Sequence, residues 1–326
     1  MKILVVGGAG YIGSHMVKHL LDTGRRVVVV DNFSTGHRDA VRAADLLELD
    51  IADANAVAEL FETHSIDAVM HFASFIQVGE SMTQPAKYYA NNLAATLCLL
   101  EAMVKAGVSK FIFSSTAAVY GDPDYVPIDE SHPKRPINPY GRSKWMLEQI
   151  LEDFDRAYGL KSVSLRYFNA AGADPDGELG ERHEPETHLL PLILQAASGR
   201  RPSITVFGRD YDTPDGTCIR DYIHVTDLVD AHDLALKYLD SAGASAAFNL
   251  GNGQGYSVDE VIEAARKVTG RSIETVDAPR REGDPARLVA ESSTAKSVLG
   301  WQPQFSDINT IVAHAWGWER QYPWRR

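Results

Sequence analysis

Cysteine is almost absent from this 326-residue chain: Cys98 and Cys218 are its only two. Thiols this far apart in sequence supply no disulfide framework and no clustered thiolate metal site, and they point to a reducing compartment. Long apolar runs are missing too. Met1-Lys2-Ile3-Leu4-Val5-Val6 is too short for the apolar part of a signal peptide, and no stretch reaches the length of a membrane span. A cytoplasmic protein with no membrane partner is expected. Cations are in deficit, 32 Lys+Arg against 44 Asp+Glu for a net charge of −12, which removes any general attraction to nucleic acid. Disorder is excluded as the main state by 44% hydrophobic and 23% charged residues, values ordinary for a globular chain that is long enough to bury a large core. Small-molecule partners remain as the expectation.

What is present is an alternation of apolar runs and helical patterns. Ile3–Val6 reads as a strand, and after a glycine turn Ile12, His15-Met16 and His19-Leu20 recur at helical spacing up to Gly24. Arg26–Asp31 is a second strand, apolar throughout as a parallel sheet buried on both faces requires. Further strands are expected at Leu46–Leu49, Ala68–Phe72, Phe111–Ser115 and Ser162–Tyr167, with helices at Ala54–Thr63, Asn91–Ala106 and Tyr140–Tyr158. This pattern predicts right-handed βαβ units in an α/β, doubly wound parallel sheet of Rossmann type. The texture changes after Asn169, where Ala171–Glu186 is rich in Gly, Pro and acids. The expected division is a dinucleotide-binding domain over 1–170 and a smaller α/β substrate domain over 171–326. Arg220–His224 and Phe248–Gly251 are left free to rejoin the first sheet.

Gly7, Gly10 and Gly13 form G-x-x-G-x-x-G, and Gly8, Gly10 and Gly13 form G-x-G-x-x-G. Between a strand and a helix such glycines permit a tight turn and let backbone amides meet a pyrophosphate at the helix N-terminus. Asp31 ends the next strand, where a carboxylate accepts the adenosine ribose hydroxyls and repels a 2′-phosphate, favouring NAD over NADP. Asp31 also suits a capped turn through Asn32-Phe33.

Tyr140 and Lys144 stand at i and i+4 on one helix face, a spacing that also arises by chance on a protein surface. Ser114-Ser115-Thr116 ends a strand, the place where open α/β sheets bind ligands. A phenol with an ordinary pKa near 10 becomes a base at neutral pH only when cations favour its phenolate. Lys144 and an oxidised nicotinamide supply two such charges, and Thr116 supplies a hydroxyl for the reacting alcohol oxygen.

Gly7–His15, Asp31-Asn32, His71-Phe72-Ala73, Phe113–Thr116, Tyr140–Lys144, Asp215–Val225 and Arg280-Arg281-Glu282-Gly283-Asp284 resemble the extended short-chain dehydrogenase/reductase family, and within it the nucleotide-sugar epimerases. The resemblance spans nearly the whole chain. It implies NAD as cofactor, a UDP-sugar as substrate, inversion at the sugar C4 through a ketone, and a homodimer. By resemblance Tyr140 is the base, Lys144 lowers its pKa and holds the nicotinamide ribose, and Thr116 binds the hydroxyl being oxidised. Gly7, Gly10, Tyr11, Ile12, Gly13, Asp31 and Asn32 hold the dinucleotide. Asp50 and Ile51 lie at the adenine, while Phe72, Ala73, Asn91, Ser114 and Tyr167 line the groove. Asn169, His188, Leu189, Arg220, Arg281, Asp284 and Leu288 face the UDP-sugar, with the arginines on the diphosphate. Leu288 borders the sugar C2 substituent or is a packed strand residue. Ile76 stands where some members carry lysine, and His188 where others carry asparagine.

Other readings compete. A dehydratase of the same family carries Asp-Glu after the threonine, where this chain has Ala117-Ala118; a pentose or uronic acid epimerase stays open. A non-catalytic NAD-binding protein commonly lacks the Tyr–Lys pair. A zinc hydrolase on His183-Glu184 and His188 lacks the required spacing of four on a helix, so these residues are read as loop filling and no metal is expected. The apolar residues Leu93, Leu97, Leu99, Leu100 and Met103 exceed what one helix flank of a sheet needs. Either a dimer through this helix and the Tyr140 helix covers them, or the chain's own core does.

Overall fold

The computed structural model describes residues 1–42, 45–281 and 284–321. Seven parallel strands form the main sheet, in the spatial order Ala246–Leu250, Lys161–Tyr167, Lys110–Thr116, Ala68–His71, Lys2–Val6, Arg26–Asp31 and Asp45–Glu48. The strand order reverses between Lys2–Val6 and Ala68–His71, the switch point where doubly wound sheets bind ligands. Alternate residues of one strand enter opposite cores. Ile3 and Val5 pack with Met16, Leu20, Leu228 and Leu236, whereas Leu4 and Val6 pack with Leu60, Leu99, Met103 and Leu147. Burial on both faces explains why these strands read as continuous apolar runs.

Helix Ala54–Thr63 begins on Asp53, whose carboxylate accepts the Asn55 and Ala56 amides. Helix Pro139–Tyr158 begins on Asn138, whose side chain accepts the Gly141 amide at 2.8 Å. The helix expected over Asn91–Ala106 starts earlier and differently: a π turn covers Tyr89–Ala94 and α-helix follows over Ala95–Ala106. The wider turn accompanies Asn92, fully buried, which exchanges two hydrogen bonds with the Phe75 backbone. Such π turns are frequent at functional sites. Leu99, Leu100 and Met103 belong to the intrachain core, so most of the apolar surplus is covered without a partner.

Of the two segments left free to rejoin the main sheet, one does. Ala246–Leu250 pairs in parallel with Lys161–Tyr167, and helix Val225–Ala242 packs against helix Tyr11–Asp22 and strands Lys110–Thr116 and Lys161–Tyr167. The other, Ile219–His224, joins a smaller sheet with Asn169–Ala171, Gly255–Ser257 and Arg287–Leu288. Its core is separate, built on Ile193, Leu194, Val261, Ile262 and Ile311. Asp221 anchors this region: its buried carboxylate accepts amides from Asn252, Gly253 and Ala290 at 2.8–3.1 Å. Among the described residues no helix is long and apolar enough to cross a membrane.

Where helix Pro139–Tyr158 crosses strand Lys161–Tyr167, Glu148 and Arg166 form a buried ion pair. The Arg166 Nε lies 3.0 and 3.1 Å from the two carboxylate oxygens, and Nη1 donates to the Tyr120 hydroxyl at 3.1 Å. Removing one partner of such a pair strands the other charge away from water, which costs about 3–5 kcal/mol. Arg166→Met is expected to lose about that much, and Glu148→Leu/Arg166→Met to recover most of it, in urea unfolding of both variants.

Candidate active site

Two of the three glycines make the turn tight. Gly7 has φ +79°, and a Cβ on it would lie 2.5 Å from the Ala73 nitrogen. Gly13 lies so close to the turn that a Cβ would meet the Gly7 carbonyl oxygen at 2.1 Å. Gly10 is different. Its backbone is extended, at φ −79° and ψ 176°, and a Cβ there would find nothing nearer than the Gly7 oxygen at 3.5 Å. Neither packing nor strain demands glycine at position 10; the open space above it suits a close ligand. No side chain caps helix Tyr11–Asp22, so its first amides, from Tyr11 to Gly13, are available to an anion. These features fit a dinucleotide pyrophosphate.

Asp31 accepts the Ala9 amide on Oδ2 and the Phe33 amide on Oδ1, each at 2.8 Å. It caps the turn and braces the glycine loop at once. Burial raises its pKa, against the lowering effect of those two amides; each oxygen keeps a lone pair for a ribose hydroxyl. Asn32 donates to Asp50 at 3.0 Å, while Ile51 is buried in the core. Phe72 stacks at 4.9 Å on the His232 ring, and Ala73 sits against Gly7. Asn91 donates to Asn92 at 2.9 Å. The sequence offered Asn91 for the groove and missed Asn92, which ties Phe75 to Ser143 beside Lys144.

Tyr140, Lys144 and Thr116 meet where strand Lys110–Thr116 ends against the start of helix Pro139–Tyr158. Thr116 Oγ1 accepts the Ala118 amide at 3.1 Å, leaving its hydroxyl hydrogen for the Tyr140 phenol. Burial raises the Tyr140 pKa and the Thr116 hydrogen bond draws it down. Lys144 is buried, donates to the Ser114 carbonyl at 2.8 Å, and lies 4.9 Å over the Phe113 ring and 6.0 Å from that of Tyr140. Burial pulls it down to about 7, with Glu148 opposing. Burial of the ammonium thus works against the charge that Lys144 sets beside the Tyr140 phenol, and Glu148 works to keep it. Ser114 Oγ hydrogen-bonds the Tyr167 hydroxyl. Glu148, one turn after Lys144, also accepts from Ser115 at 2.5 Å. The i, i+4 spacing was the available signal for Glu148.

The residues that the resemblance assigns to the substrate lie on the smaller sheet and its neighbours. Asn169 pairs in register with Tyr222, and Leu288 with Arg220. Arg220 is tied down: Nη2 donates to Asp284 at 2.6 Å and Nη1 to the Ile219 and Pro285 carbonyls at 2.8 and 2.9 Å. The Arg281 guanidinium lies 4.0 Å above the Phe207 ring. Glu282 and Gly283 lie outside the described residues. Leu288 is half-buried against the cluster of Ala117, Val119, Tyr120 and Ile128, which begins one residue after Thr116. Ile76 is 37% exposed. His188 precedes helix Leu189–Ala197 and joins His183, Glu181 and Glu186 in one cluster, whereas Glu184 is exposed. Burial opposes charge on both imidazoles, but the carboxylates lift His183 to about 9 and His188 to about 10. A separate cleft of about 230 Å³ beside Gly10 and Tyr11 is lined by His37, Asp39 and Arg182 but by none of the Thr116, Tyr140 and Lys144 trio.

Comparison with known proteins places this geometry. The model of the NAD dependent epimerase/dehydratase family matches residues 3–251. A UDP-glucose 4-epimerase of Streptococcus mutans is 56% identical over 99% of this chain and 98% of its own. A crystal structure of a UDP-glucose 4-epimerase superposes with TM-score 0.97 at 52% identity, covering 99% of this chain and 98% of that one. Another, from Bifidobacterium longum in complex with NAD+ and UDP, gives TM-score 0.94 at 40% identity over 99% of both chains.

The glycines separate packing from binding. Gly13→Ala is expected to cost about 1–3 kcal/mol through overpacking, and Gly10→Ala under about 1 kcal/mol while still impairing dinucleotide retention. Thermal melts with assay of bound nucleotide check both. Lys144 yields a pH dependence. Between about pH 7 and the unfolded lysine value of 10.5, the unfolded chain binds the extra proton, so this group's contribution to stability rises with pH. In nucleotide-free protein, wild type should gain on Lys144→Met between pH 7 and pH 10, measured by denaturant unfolding.

Proposed function

The chain belongs to the NAD dependent epimerase/dehydratase family, and we propose from this premise that it interconverts UDP-galactose and UDP-glucose as an NAD-dependent 4-epimerase. The observation that carries the reading is the meeting of Tyr140, Thr116 and Lys144 at the strand end beside an uncapped glycine turn. Bound NAD supplies a hydride acceptor and donor at C4 and a positive nicotinamide charge, so that a 4-keto sugar forms and is reduced on its other face.

The chain's residues do the rest. Tyr140 takes the C4 hydroxyl proton and later returns it, while Thr116 donates to the phenolate. Lys144, held by Ser114 O, keeps two hydrogens for the nicotinamide ribose. Gly7, Gly10, Tyr11, Ile12 and Gly13 hold the pyrophosphate, with Asp31 and Asn32 on the adenosine ribose. Asp50 and Ile51 flank the adenine, and Phe72, Ala73, Asn91, Ser114 and Tyr167 wall the groove. Burial favours the protonated Tyr140 phenol, and the positive charge of a bound oxidised nicotinamide, with that of Lys144, would favour its phenolate.

The diphosphate is assigned to Arg220 and Arg281. Arg281 lies over the Phe207 ring, and its guanidinium fork suits bidentate phosphate contacts. Asp284 holds Arg220 ready and Asn169, His188 and Leu189 line the sugar side. Leu288, beside the Thr116 loop, has less bulk than tyrosine and no hydroxyl, which supports some room for a C2 N-acetyl group. Residues 1–170 serve the dinucleotide and 171–326 the sugar, except for 225–250, which serve the main sheet. The half-buried Leu93 and Leu97 with Met146, 40% exposed, support a homodimer through their two helices. The cysteine content supports a cytoplasmic location.

Purified protein given UDP-galactose without added NAD should form UDP-glucose; no product from protein that holds NAD overturns the reading. Tyr140→Phe should lower kcat by about 10²–10⁴-fold with UDP affinity within a few-fold of wild type, measured by initial rates and calorimetry.

A further inference from the structure

We infer that Glu181, His183, Glu186 and His188 form a binding site for a divalent transition-metal ion of the zinc type, which ties the loop before helix Leu189–Ala197 to the dinucleotide turn. The four donors stand within eight residues, and one ligand atom from each lies within 4.8 Å of all the others. Two are imidazole nitrogens and two carboxylate oxygens, a set that suits zinc and its first-row neighbours. The carboxylates have side chains only 6% exposed, and two adjacent buried carboxylates require positive charge beside them, which a metal ion supplies when the imidazoles bind it in their neutral form.

The spacing is that of ligands around a common centre. Metal–ligand bonds of about 2.0–2.2 Å in a tetrahedron set neighbouring donors about 3.3–3.5 Å apart. His183 Nδ1 lies 3.4 Å from Glu181 Oε1 and 3.5 Å from Glu186 Oε2, and His188 Nδ1 lies 3.4 Å from the other Glu186 oxygen, Oε1, so the Glu186 carboxylate faces both imidazoles. The fourth imidazole–carboxylate separation, His188 Nδ1 to Glu181 Oε1, is 2.7 Å and opens by a small turn of the His188 ring, which is 39% exposed; the other donor separations stay within 4.8 Å.

The rival arrangement is a pair of imidazolium–carboxylate bridges without metal. In that arrangement each Nδ1–H points in its ring plane at an oxygen. Here both Nδ1 atoms are buried and close to carboxylate oxygens, but neither N–H is well aligned on one of them. The nitrogens converge with the oxygens instead of aiming at them. The site's neighbours give it a role: the Tyr11 ring, at the start of the nucleotide helix, stands edge-on to His183 at 6.5 Å, and Tyr11 donates to the Gly172 carbonyl at 2.7 Å. A metal here fixes the loop joining the two binding regions; it takes no part in the proton transfer at Tyr140.

The test uses untagged full-length protein, stripped with chelating resin, equilibrated with zinc chloride and passed through gel filtration before metal analysis. One zinc per chain is expected, with a melting temperature several degrees above that of the stripped protein. Cobalt(II) in place of zinc should give the intense visible bands of tetrahedral coordination. His183→Gln and Glu186→Gln should lose the metal, and His37→Gln, outside the cluster, should keep it. Wild-type protein without stoichiometric zinc, an octahedral cobalt spectrum, or full zinc content in folded His183→Gln each overturns the proposal. Where a variant fails to fold, the wild-type stoichiometry and cobalt spectrum decide alone.

Discussion

The ammonium of Lys144 sits where water does not reach, and much of the surrounding structure answers to that fact. Burial draws it down to about 7, and the Ser114 carbonyl and the Phe113 ring are its immediate neighbours. Glu148, one helical turn on, opposes the loss of charge. Glu148 in turn needs Arg166 and Ser115, and Arg166 reaches the Tyr120 hydroxyl, which donates to Asn249 at 2.6 Å. The last strand of the main sheet is thereby wired to the helix that carries Tyr140 and Lys144. A buried chain of this kind holds its members in one arrangement only while every one is satisfied.

The Rossmann part of the fold was legible because its signals are local. Val27–Val30 read as a doubly buried strand, the glycines stood between strand and helix, and Tyr140 and Lys144 shared a helix face. Asp31 carried two readings in the sequence, and the structure realises the capping one while leaving room for the other. Packing then sorted the glycines in a way spacing cannot: Gly7 and Gly13 answer to neighbouring backbone, Gly10 to open space.

The smaller lobe was illegible in detail because its contacts join distant residues. Asp221 gathers amides from positions 252, 253 and 290, and Arg220 is held by Asp284 and Pro285; no periodicity announces either. Strands of two or three residues, such as Arg287–Leu288 and Gly255–Ser257, are too short to show a pattern. Glu181, His183, Glu186 and His188 lie close in sequence, but their spacing follows neither a helix nor a strand. Leu99, Leu100 and Met103 misled in the other direction, since their apolar surface is spent inside the chain.

The main sheet takes its seventh strand from residues that follow the first strands of the smaller lobe. The chain leaves the large sheet at Tyr167, builds part of the other lobe, returns through Val225–Leu250 and departs again. The two halves are therefore interlaced in heredity as well as in space. A recombination event at one point cannot exchange the smaller lobe for that of a relative, because a contiguous gene fragment carries either too little of one lobe or a strand of the other. Change in the smaller lobe must therefore come by substitution in place, around a sheet that cannot be left behind.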